Sequence, residues 1–529
     1  MDCKNKIEML FDFIFICNLY SHYLKRKTDY LILKTLKMTS LNDSNDVDLE
    51  YRMSLFDKYL DRTKMDKKQY QYDGVKWCLT NELLGGTLHG VRGGFIADEM
   101  GLGKTIMMIG TFIGNYVRRT LIVLPPILID QWFLQIYRTT GHKALIYHGQ
   151  NKKKIFEAEI KKATIVITSY GAITMTKKQL KAGETSILHK IHWSRLVFDE
   201  AHHLRNKNTC YFSAKLLRAD IRWLVSGTPI QNRKSDFYNL CSILGLPTSF
   251  YTNSENLIPL ARAFILKRTK KQVGIQIPDI VLDKNIVDWN NKREMELSEE
   301  IHSALSFSNV SSDKGRAMVR MLGEKGVLAL LLRARQSCIY PKLLVPAIKE
   351  LIQLGIRFDF KKYGEALNYS SKLDSVVNKI LKNKDNGNGK IIFCHFREEI
   401  DEIANRLRAG GIRKIATFDG RISNGKRADI LNDKNDVLIL QIQTGCEGLN
   451  LQENYSEIYF VSPHWNPAIE EQAIARCHRI GQMKEVTVTR FEMSNFVKDK
   501  GQEIETRTVD NYVNSVQDIK RKIIDEFIN

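Results

Sequence analysis

Two successive series of short, mostly apolar runs constrain the fold of this chain more than any other feature. In each series, runs bounded by turn residues alternate with longer stretches of helical periodicity. Buried parallel strands joined by crossover helices produce this alternation. The sequence therefore predicts an α/β protein with two domains, each built on a parallel sheet. The first series comprises Gly94–Ala97, Thr120–Leu124, Thr164–Thr168, Arg195–Phe198 and Trp223–Val225, and the second comprises Lys390–Cys394, Lys414–Thr417, Val437–Leu440, Glu457–Val461 and Val486–Phe491.

The segments outside the two series differ in composition. Residues 39–50 are polar and rich in turn formers, which predicts a linker. Between about 270 and 368 the sequence is helical and cationic, with a heptad-like stretch at Met318–Ser337. We expect a helical connector there, which could also protrude. The run NKDNGNG at Asn383–Gly389 predicts a surface loop.

The charge balance favours a polyanionic partner. The 529 residues include 80 Lys and Arg against 60 Asp and Glu, a formal net charge of +20. Nucleic acid is the first candidate for such a surplus, and a merely lysine-rich protein is the alternative. The apolar content of 43% is that of an ordinary globular protein, which excludes a fibrous or wholly disordered chain.

Cysteine usage and the N-terminus bear on location. The nine cysteines include no CxxC pair, so the sequence indicates neither a disulfide framework nor a zinc module. An intracellular protein that is not secreted fits this cysteine usage best.

The apolar run Met9–Tyr20 is short and contains Asp12. A membrane span needs about 20 apolar residues. We therefore expect a short amphipathic helix, or sequence upstream of a true start at Met38, and no membrane anchor.

The strongest local signal is GGFIADEMGLGKT at residues 93–105. A strand leads into a tight loop with Gly101 and Gly103, and Lys104-Thr105 opens a helix. Glycines let backbone N–H groups approach phosphates, and the helix N-terminus adds a favourable field. Lys104 would reach the β- and γ-phosphates, and the Thr105 hydroxyl would bind magnesium. Asp98 stands where the generic phosphate-loop pattern has its first glycine.

Two further motifs follow in order. In RLVFDEAHHL, an apolar strand delivers Asp199 and Glu200 at its C-terminal end, where α/β sheets place ligands. Asp199 suits a magnesium shell, and Glu200 suits the activation of a water molecule. Alone, such a pair is often a helix cap, but here it follows a phosphate loop. In LVSGTPIQN, Ser226 and Thr228 could sense the γ-phosphate.

These motifs resemble motifs I, II and III of superfamily-two helicases, in the version typical of the Swi/Snf-like ATPases. The resemblance extends over about residues 67–495 and continues in the expected order. The matching segments are the adenine-recognising Q motif around Tyr70-Gln71, TLIVLPPILIDQW (120–132), IVITSY (165–170), FILKRTK (264–270), ARQSCIYP (334–341), KIIFCHFREEID (390–401), FDGRISNGKR (418–427), QIQTGCEGLNLQEN (441–454, motif V) and WNPAIEEQAIARCHRIGQ (465–482, motif VI).

The resemblance implies two tandem RecA-like lobes with a helical inter-lobe connector, and magnesium-ATP bound between the lobes. The implied domains are an extension and linker (1–66), an ATP-binding lobe 1 (67–270), a helical connector (271–367), a helicase C-terminal lobe 2 (368–515) and a tail (516–529). The implied nucleotide contacts are Gln71 on adenine, with Asp98, Glu99, Met100, Gly101, Leu102, Gly103, Lys104 and Thr105 around the phosphates and Gln472 from motif VI.

The implied catalytic groups are Lys104, Glu200, Arg476 and Arg479, with Thr105 and Asp199 on magnesium. Spaced at i, i+4 and i+7, Gln472, Arg476 and Arg479 would share one face of a helix. Two guanidiniums presented there could stabilise charge on the γ-phosphate. The alternative is an ordinary exposed basic helix.

Some positions depart from the family pattern. Gln441–Cys446 replaces the family's S-T-x-A-G-G in motif V, which bears on nucleic-acid contact, and His203 stands where arginine is common. Backbone contacts with DNA are expected from Pro125, Pro126, Ser169 and the loop after Gly445. The lysine runs 152–154 and 267–271 are either further contacts or solvated faces.

The resulting expectation is a DNA-dependent ATPase that translocates on duplex DNA, binds it without regard to sequence, and remodels DNA or protein–DNA complexes, with a chromatin or transcription partner possible. Alternatives are a strand-separating helicase, a transcription-associated NTPase, a nuclease-coupled motor, and a DNA-binding protein whose ATPase has decayed. The compact Lys-, Asn- and Ile-rich chain would suit a large DNA virus or a reduced eukaryote, which leaves the nucleus, a virus factory or a virion as its location.

Overall fold

The chain divides into two compact units, here called lobe 1 and lobe 2, with boundaries between Gln276 and Ile277 and between Arg521 and Lys522, after which the chain is grouped with lobe 1. The computed structural model describes residues 42–83, 88–227, 234–303, 305, 326, 328–353, 355, 358–422, 429–430, 433–445, 449–496 and 507–528. The predictions for Met9–Tyr20, for a start at Met38, for Thr228 and for much of Met318–Ser337 lie outside these residues.

Lobe 1 contains a seven-stranded parallel sheet in the order β3-β4-β2-β5-β6-β1-β7. All five strands predicted in the first series are confirmed, and β3 and β7 are short additions. The strands are β1 (Arg92–Ile96), β2 (Thr120–Leu124), β3 (Leu145–Tyr147), β4 (Ile165–Ser169), β5 (His192–Asp199), β6 (Arg218–Val225) and β7 (Ile265–Leu266).

Helices cover both faces of this sheet because its strands are apolar on both sides. On β2, Leu121 and Val123 belong to one buried cluster, whereas Ile122 and Leu124 belong to another. The helices are α1 (Asn42–Thr63), α2 (Gln69–Leu83), α3 (Lys104–Gly114), α4 (Ile129–Thr140), α5 (Glu157–Lys162), α6 (Tyr170–Ile173), α7 (Lys177–Ala182), α8 (Ile187–Lys190), α9 (Thr209–Leu216), α10 (Lys234–Leu244), α11 (Thr248–Tyr251) and α12 (Leu257–Phe264).

Helix α1 corrects the prediction of a linker at residues 39–50 and of an extension separate from lobe 1. The helix begins at Asn42, and its Phe56 is completely buried with Val75 and Met108 in the lobe-1 core. Its ring lies so close to Gly110 that a Cβ there would come within 2.6 Å of it. Apolar side chains in the second half of the helix therefore fix it against lobe 1. The polar residues at its start gave no indication of this packing in the sequence.

A buried carboxylate anchors helix α2, which carries Gln71. Glu82 is fully buried and accepts hydrogen bonds from Arg195 Nε at 2.6 Å, Trp223 Nε1 at 2.7 Å and Asn115 Nδ2 at 2.7 Å. A buried charge is stable only when it is paired and hydrogen-bonded in this way. The network fixes α2 against β5 and β6.

Lobe 2 contains a six-stranded parallel sheet in the order β10-β11-β9-β12-β13-β8. The five strands predicted in the second series are confirmed. The strands are β8 (Ile280–Val287), β9 (Gly389–Cys394), β10 (Ile415–Phe418), β11 (Val437–Gln441), β12 (Tyr455–Phe460) and β13 (Val486–Met493), and the helices are α13 (Lys292–Ser303), α14 (Val345–Gln353), α15 (Phe360–Tyr363), α16 (Ser371–Lys382), α17 (Arg397–Ala409), α18 (Ile442–Gly445), α19 (Pro467–Ile474) and α20 (Val509–Ile528).

Strand β8 lies in the range predicted as a helical connector, so the prediction is wrong for residues 280–287. It pairs in parallel with β13 from Ile280 to Val287 and forms an edge of the lobe-2 sheet. Edge strands lack the continuous apolar run of central strands, and half of the β8 residues are exposed. The predicted loop Asn383–Gly389 is a largely exposed turn, as expected.

Candidate nucleotide site and the family of the chain

The phosphate-type loop of lobe 1 joins β1 to the N-terminus of α3, as its sequence predicts. Gly101 and Gly103 adopt φ angles of 93° and 82°, which lie in the left-handed region that glycine tolerates. At Gly103 a Cβ would come within 2.3 Å of Gln71 Nε2. The glycine therefore serves both the turn and the close approach of α2.

Lys104 and Thr105 occupy the first turn of α3. The Lys104 ammonium donates to the backbone oxygens of Asp98 at 2.9 Å and Glu99 at 3.4 Å, so the lysine crosses its own loop. Both residues are half-buried, and their side chains retain access to solvent. This places a cation and a hydroxyl beside the backbone N–H groups at the start of a helix, which is a favourable arrangement for an anion.

The Asp98 carboxylate is engaged within lobe 1, and the predicted place of Asp98 around the phosphates stays a prediction. The carboxylate is fully buried, and Arg268 donates to it through Nε at 3.1 Å and Nη2 at 2.5 Å. Arg268 also donates to the backbone oxygen of Tyr70. Asp98 is therefore the structural anchor of the loop. The sequence placed Arg268 in the family segment FILKRTK and in the basic run 267–271, and did not indicate its pairing with Asp98.

The remaining side chains of the loop are also engaged within lobe 1. Glu99 pairs with the Lys270 ammonium at 3.0 Å and accepts from its backbone N–H at 2.8 Å. Leu102 is buried, and Met100 lies against Gly227, where a Cβ would approach Met100 Cγ to 3.0 Å. These residues can contact a nucleotide mainly through their backbone groups.

Gln71 touches the loop directly. Its side-chain amide donates a 3.0 Å hydrogen bond to the backbone oxygen of Leu102, and the residue is only 8% exposed. The side chain thus links α2 to the phosphate loop. Its predicted contact with adenine stays a prediction.

The acidic pair lies at the C-terminal end of β5. Asp199 is buried and accepts from Trp132 Nε1 at 2.7 Å and from the Glu200 backbone N–H at 3.0 Å. Burial and the neighbouring charge of Glu200 raise the pKa of Asp199 to about 7, and the Lys104 ammonium opposes this rise. The positive charge around the Asp199 carboxylate is thus too small to offset its burial and the Glu200 charge. A bound magnesium ion would supply the missing positive charge. Thr105 and Asp199 both offer the hard oxygen ligands that magnesium prefers.

Glu200 adopts a left-handed backbone conformation, with φ of 51°. Such strain in a non-glycine residue concentrates at functional sites. Its carboxylate lies 3.3 Å from His202 Nδ1, and the same ring nitrogen lies 3.4 Å from Ser226 Oγ. His202 therefore connects the acidic motif to the motif at the end of β6. His203, the departure from the family pattern, lies against His202 and the ring of Tyr170.

Motif VI has a different local structure from the predicted helical face. Helix α19 ends at Ile474, and Arg476 and Arg479 lie in the turn that follows it. Arg479 donates to the Asn450 side chain, and the Arg476 backbone oxygen accepts from the Leu451 N–H at 3.0 Å. Motif VI is thus tied to motif V in lobe 2. Burial and the Arg476 charge lower the pKa of Arg479. Gln472, on the helix itself, is 1% exposed.

A cluster of a buried arginine and two half-buried histidines in lobe 2 escaped the sequence analysis. Arg335 Nη1 lies 3.4 Å from His395 Nδ1, and its Nη2 donates to the backbone oxygen of Pro463 at 3.1 Å. The His395 ring stacks on His464 at 5.8 Å. Burial and the Arg335 charge lower the pKa of both histidines, so they are neutral near pH 7. The cluster joins the ends of β9 and β12.

The predicted nucleic-acid contacts separate into two groups. The Ser169 side chain is buried, caps α6 and lies 2.9 Å from His148 Nδ1, and Lys270 is held by Glu99, so neither is presented to a ligand. The lysines of the run 152–154 are exposed. The predicted contacts of these lysines and of the loop at Pro125 and Pro126 with the nucleic-acid backbone stay predictions.

The SNF2-related domain matches residues 70–343, which is more than half of the chain. The chain belongs to the SNF2-related family. The helicase conserved C-terminal domain matches residues 371–481. This pair of domains is that of the DNA-dependent ATPases of helicase superfamily two, and it confirms the predicted fold class of two α/β lobes.

Individual relatives agree with this assignment. The chain is 28% identical over 484 residues to a probable global transactivator of Orgyia pseudotsugata multicapsid polyhedrosis virus, covering 87% of this chain and 90% of the relative. It is 27% identical to the ATP-dependent DNA helicase DDM1 of Arabidopsis thaliana, covering 84% of this chain and 60% of that protein. An uncharacterized ATP-dependent helicase of Mycoplasma pneumoniae is 26% identical and is covered over 45% of its length. The chain thus spans about half the length of several curated relatives.

Among solved structures, the Sulfolobus solfataricus SWI2/SNF2 ATPase core in complex with dsDNA is 22% identical, with a TM-score of 0.37 over 81% of this chain and 88% of that one.

In the part of the chain that the structure describes, no helix is long and apolar enough to cross a bilayer. Over the same residues, no group of three or more His, Cys, Asp or Glu could hold a metal ion.

Proposed function

We propose that this protein is an ATP hydrolase that is stimulated by DNA and translocates along duplex DNA. One observation carries the proposal. In lobe 1 the loop after β1 and the acidic pair after β5 lie at the same edge of the parallel sheet, where the Lys104 charge acts on Asp199. A cation, a helix N-terminus and two carboxylates at one sheet edge suit phosphoryl transfer from ATP.

Each group has a proposed task. Lys104 and the backbone N–H groups of the loop bind the phosphates, while Gln71 contacts adenine. Asp199 and Thr105 would hold a magnesium ion, which neutralises charge on the phosphates when bound. Glu200 orients the attacking water and accepts its proton, a task that suits a carboxylate in a fixed, strained backbone position.

Three residues of lobe 2 complete the proposal. Arg476 and Arg479 stabilise the charge on the γ-phosphate, as guanidiniums do in other nucleotide hydrolases. Their position in the turn after α19, tied to Asn450 and Leu451, supports a link between nucleotide state and motif V. Gln472, on helix α19, is the third residue, proposed as a contact with the nucleotide.

DNA is the proposed polymer partner for two reasons. The net charge of +20 favours a polyanion, and relatives are named as DNA helicases or repair proteins. The exposed lysines 152–154 are candidate contacts with its backbone. The proposed role is to remodel DNA or protein–DNA complexes inside the cell, in a nucleus or in a viral compartment.

The test is steady-state ATP hydrolysis with no nucleic acid, single-stranded DNA, duplex DNA or RNA. Strong stimulation by duplex DNA, abolished in Glu200→Gln but retained in the exposed control Glu184→Gln, supports the proposal. Displacement of a third strand from duplex DNA then tests translocation. Stimulation by RNA or single strands alone would favour a strand-separating helicase. No hydrolysis in any condition would favour the decayed DNA-binding protein.

A further inference from the structure

A groove on lobe 1 has apolar side chains open to solvent. It lies between α7 and α9 and has a volume of about 670 Å³. Its floor contains Leu180, together with Phe212 and Leu216, which are 46% and 50% exposed. Phe212 and Leu216 are four residues apart and therefore share a face of α9. Neighbouring large apolar side chains left open in this way mark a contact surface.

The rim of this groove is cationic. Lys177, Lys181, Lys207 and Lys215 line it, and all four are exposed. Lys215 donates to the Ser242 hydroxyl at 2.8 Å, a neutral partner that leaves its charge uncompensated. Among the described residues that line the groove, none is acidic. The groove therefore attracts a ligand that is both apolar and anionic.

We propose that this groove binds an acidic, amphipathic segment of a partner protein. The Leu or Phe side chains of such a segment would pack on Phe212 and Leu216, while its Asp or Glu side chains would face the lysines. A nucleic-acid backbone would satisfy the lysines, but it offers no aliphatic surface to cover Leu180 and Leu216. The observations therefore favour a peptide over nucleic acid. None of the lining residues belongs to the proposed nucleotide site.

The test uses fluorescence anisotropy of the full chain with a labelled helical peptide that carries Leu and Phe on one face and Glu on the other. Phe212→Ala is expected to weaken binding about tenfold, as loss of a central aromatic anchor does. Lys181→Glu is expected to weaken it several-fold and to reduce its salt dependence. Matched controls are Phe156→Ala and Lys162→Glu, which change exposed residues of lobe 1 outside the groove.

Two results would overturn the proposal. In the first, a peptide with Gln in place of Glu binds equally well, or Phe212→Ala and Phe156→Ala behave alike. In the second, Lys177→Glu and Lys181→Glu weaken duplex-DNA binding while the acidic peptide does not bind, which would assign the groove to nucleic acid. Thermal unfolding of each variant shows whether lobe 1 remains intact, and Leu216→Ala provides a second, independent variant of the floor.

Discussion

The indole Nε1 of Trp132 donates a 2.7 Å hydrogen bond to Oδ2 of Asp199. Trp132 lies on α4 and is 1% exposed, so the surrounding core fixes its ring. The bond in turn fixes the orientation of a carboxylate that we propose as a magnesium ligand. Removal of a group that orients a metal ligand typically lowers metal affinity about 10–100-fold.

We therefore expect Trp132→Phe to raise the magnesium concentration for half-maximal ATP hydrolysis about tenfold, with a smaller change in kcat. The substitution keeps an aromatic ring in the core and removes only the donor. Trp193→Phe is the matched control, because Trp193 is equally buried in lobe 1 and donates to the Leu188 backbone oxygen instead. Equal magnesium dependence in both variants would contradict a positioning role for Trp132.

Loss of the ion pair between the buried Asp98 and the largely buried Arg268 should destabilise lobe 1. Removal of one partner leaves the other charge uncompensated, which typically costs about 3–5 kcal/mol. Asp98→Ala is expected to lower the free energy of unfolding by about 3 kcal/mol, as measured by urea denaturation. The double variant Asp98→Ala with Arg268→Ala should be less destabilised than the sum of the two single variants. Additivity would show that the pair does not act as a unit.

Gly103→Ala should weaken nucleotide binding more than it weakens folding. A Cβ at this left-handed position costs about 1–2 kcal/mol and displaces Gln71 from its bond to Leu102. Gly141→Ala is the matched control, since Gly141 has φ of 74° with no atom within 4 Å of a Cβ. Titration with a fluorescent ATP analogue should show loss of affinity only in Gly103→Ala. Comparable losses in both variants would mean that backbone strain alone is responsible.

His302 should make lobe 2 less stable in mild acid. The ring is buried between Ser298 and Val509, with Nδ1 2.7 Å from the Ser298 oxygen and Nε2 accepting the Val509 N–H at 3.0 Å. Burial lowers its pKa from 6.5 to about 4. The unfolded chain therefore binds a proton below pH 6.5 that the folded chain does not bind until about pH 4, so stability is lost as the pH falls through this window.

The expected loss between pH 7 and pH 5 from this residue is about 2 kcal/mol. His302→Gln should reduce the pH dependence of the free energy of unfolding by that amount, because glutamine does not titrate. Other groups titrate in the same range, notably Glu399, whose pKa burial raises to about 7. The quantity to compare is therefore the difference in free energy of unfolding between the variant and the wild type at each pH. An unchanged pH profile would show that His302 is already protonated in the folded protein.

Local patterns predicted the central strands well because a strand buried on both faces must be apolar along its length. They missed β8, whose position at a sheet edge leaves residues such as Leu282 exposed. They also extended the motif VI helix as far as Arg479, although helix α19 ends at Ile474. Spacing alone cannot reveal where a helix ends when tertiary contacts, here the Leu451 bond to the Arg476 oxygen, hold the following turn.

The sequence by itself determined the two parallel sheets, the glycine turn before Lys104 and the acidic pair after β5, because each depends on periodicity or on the conformational freedom of neighbouring residues. Only the tertiary structure decided which side chains fix the loop and the acidic pair in position. Asp98 and Arg268 are separated by 170 positions and meet because β7 pairs with β1. Trp132 and Asp199 are separated by 67 positions and meet because β2 lies beside β5. Strand order is a global property of the packed chain, and no local pattern encodes it.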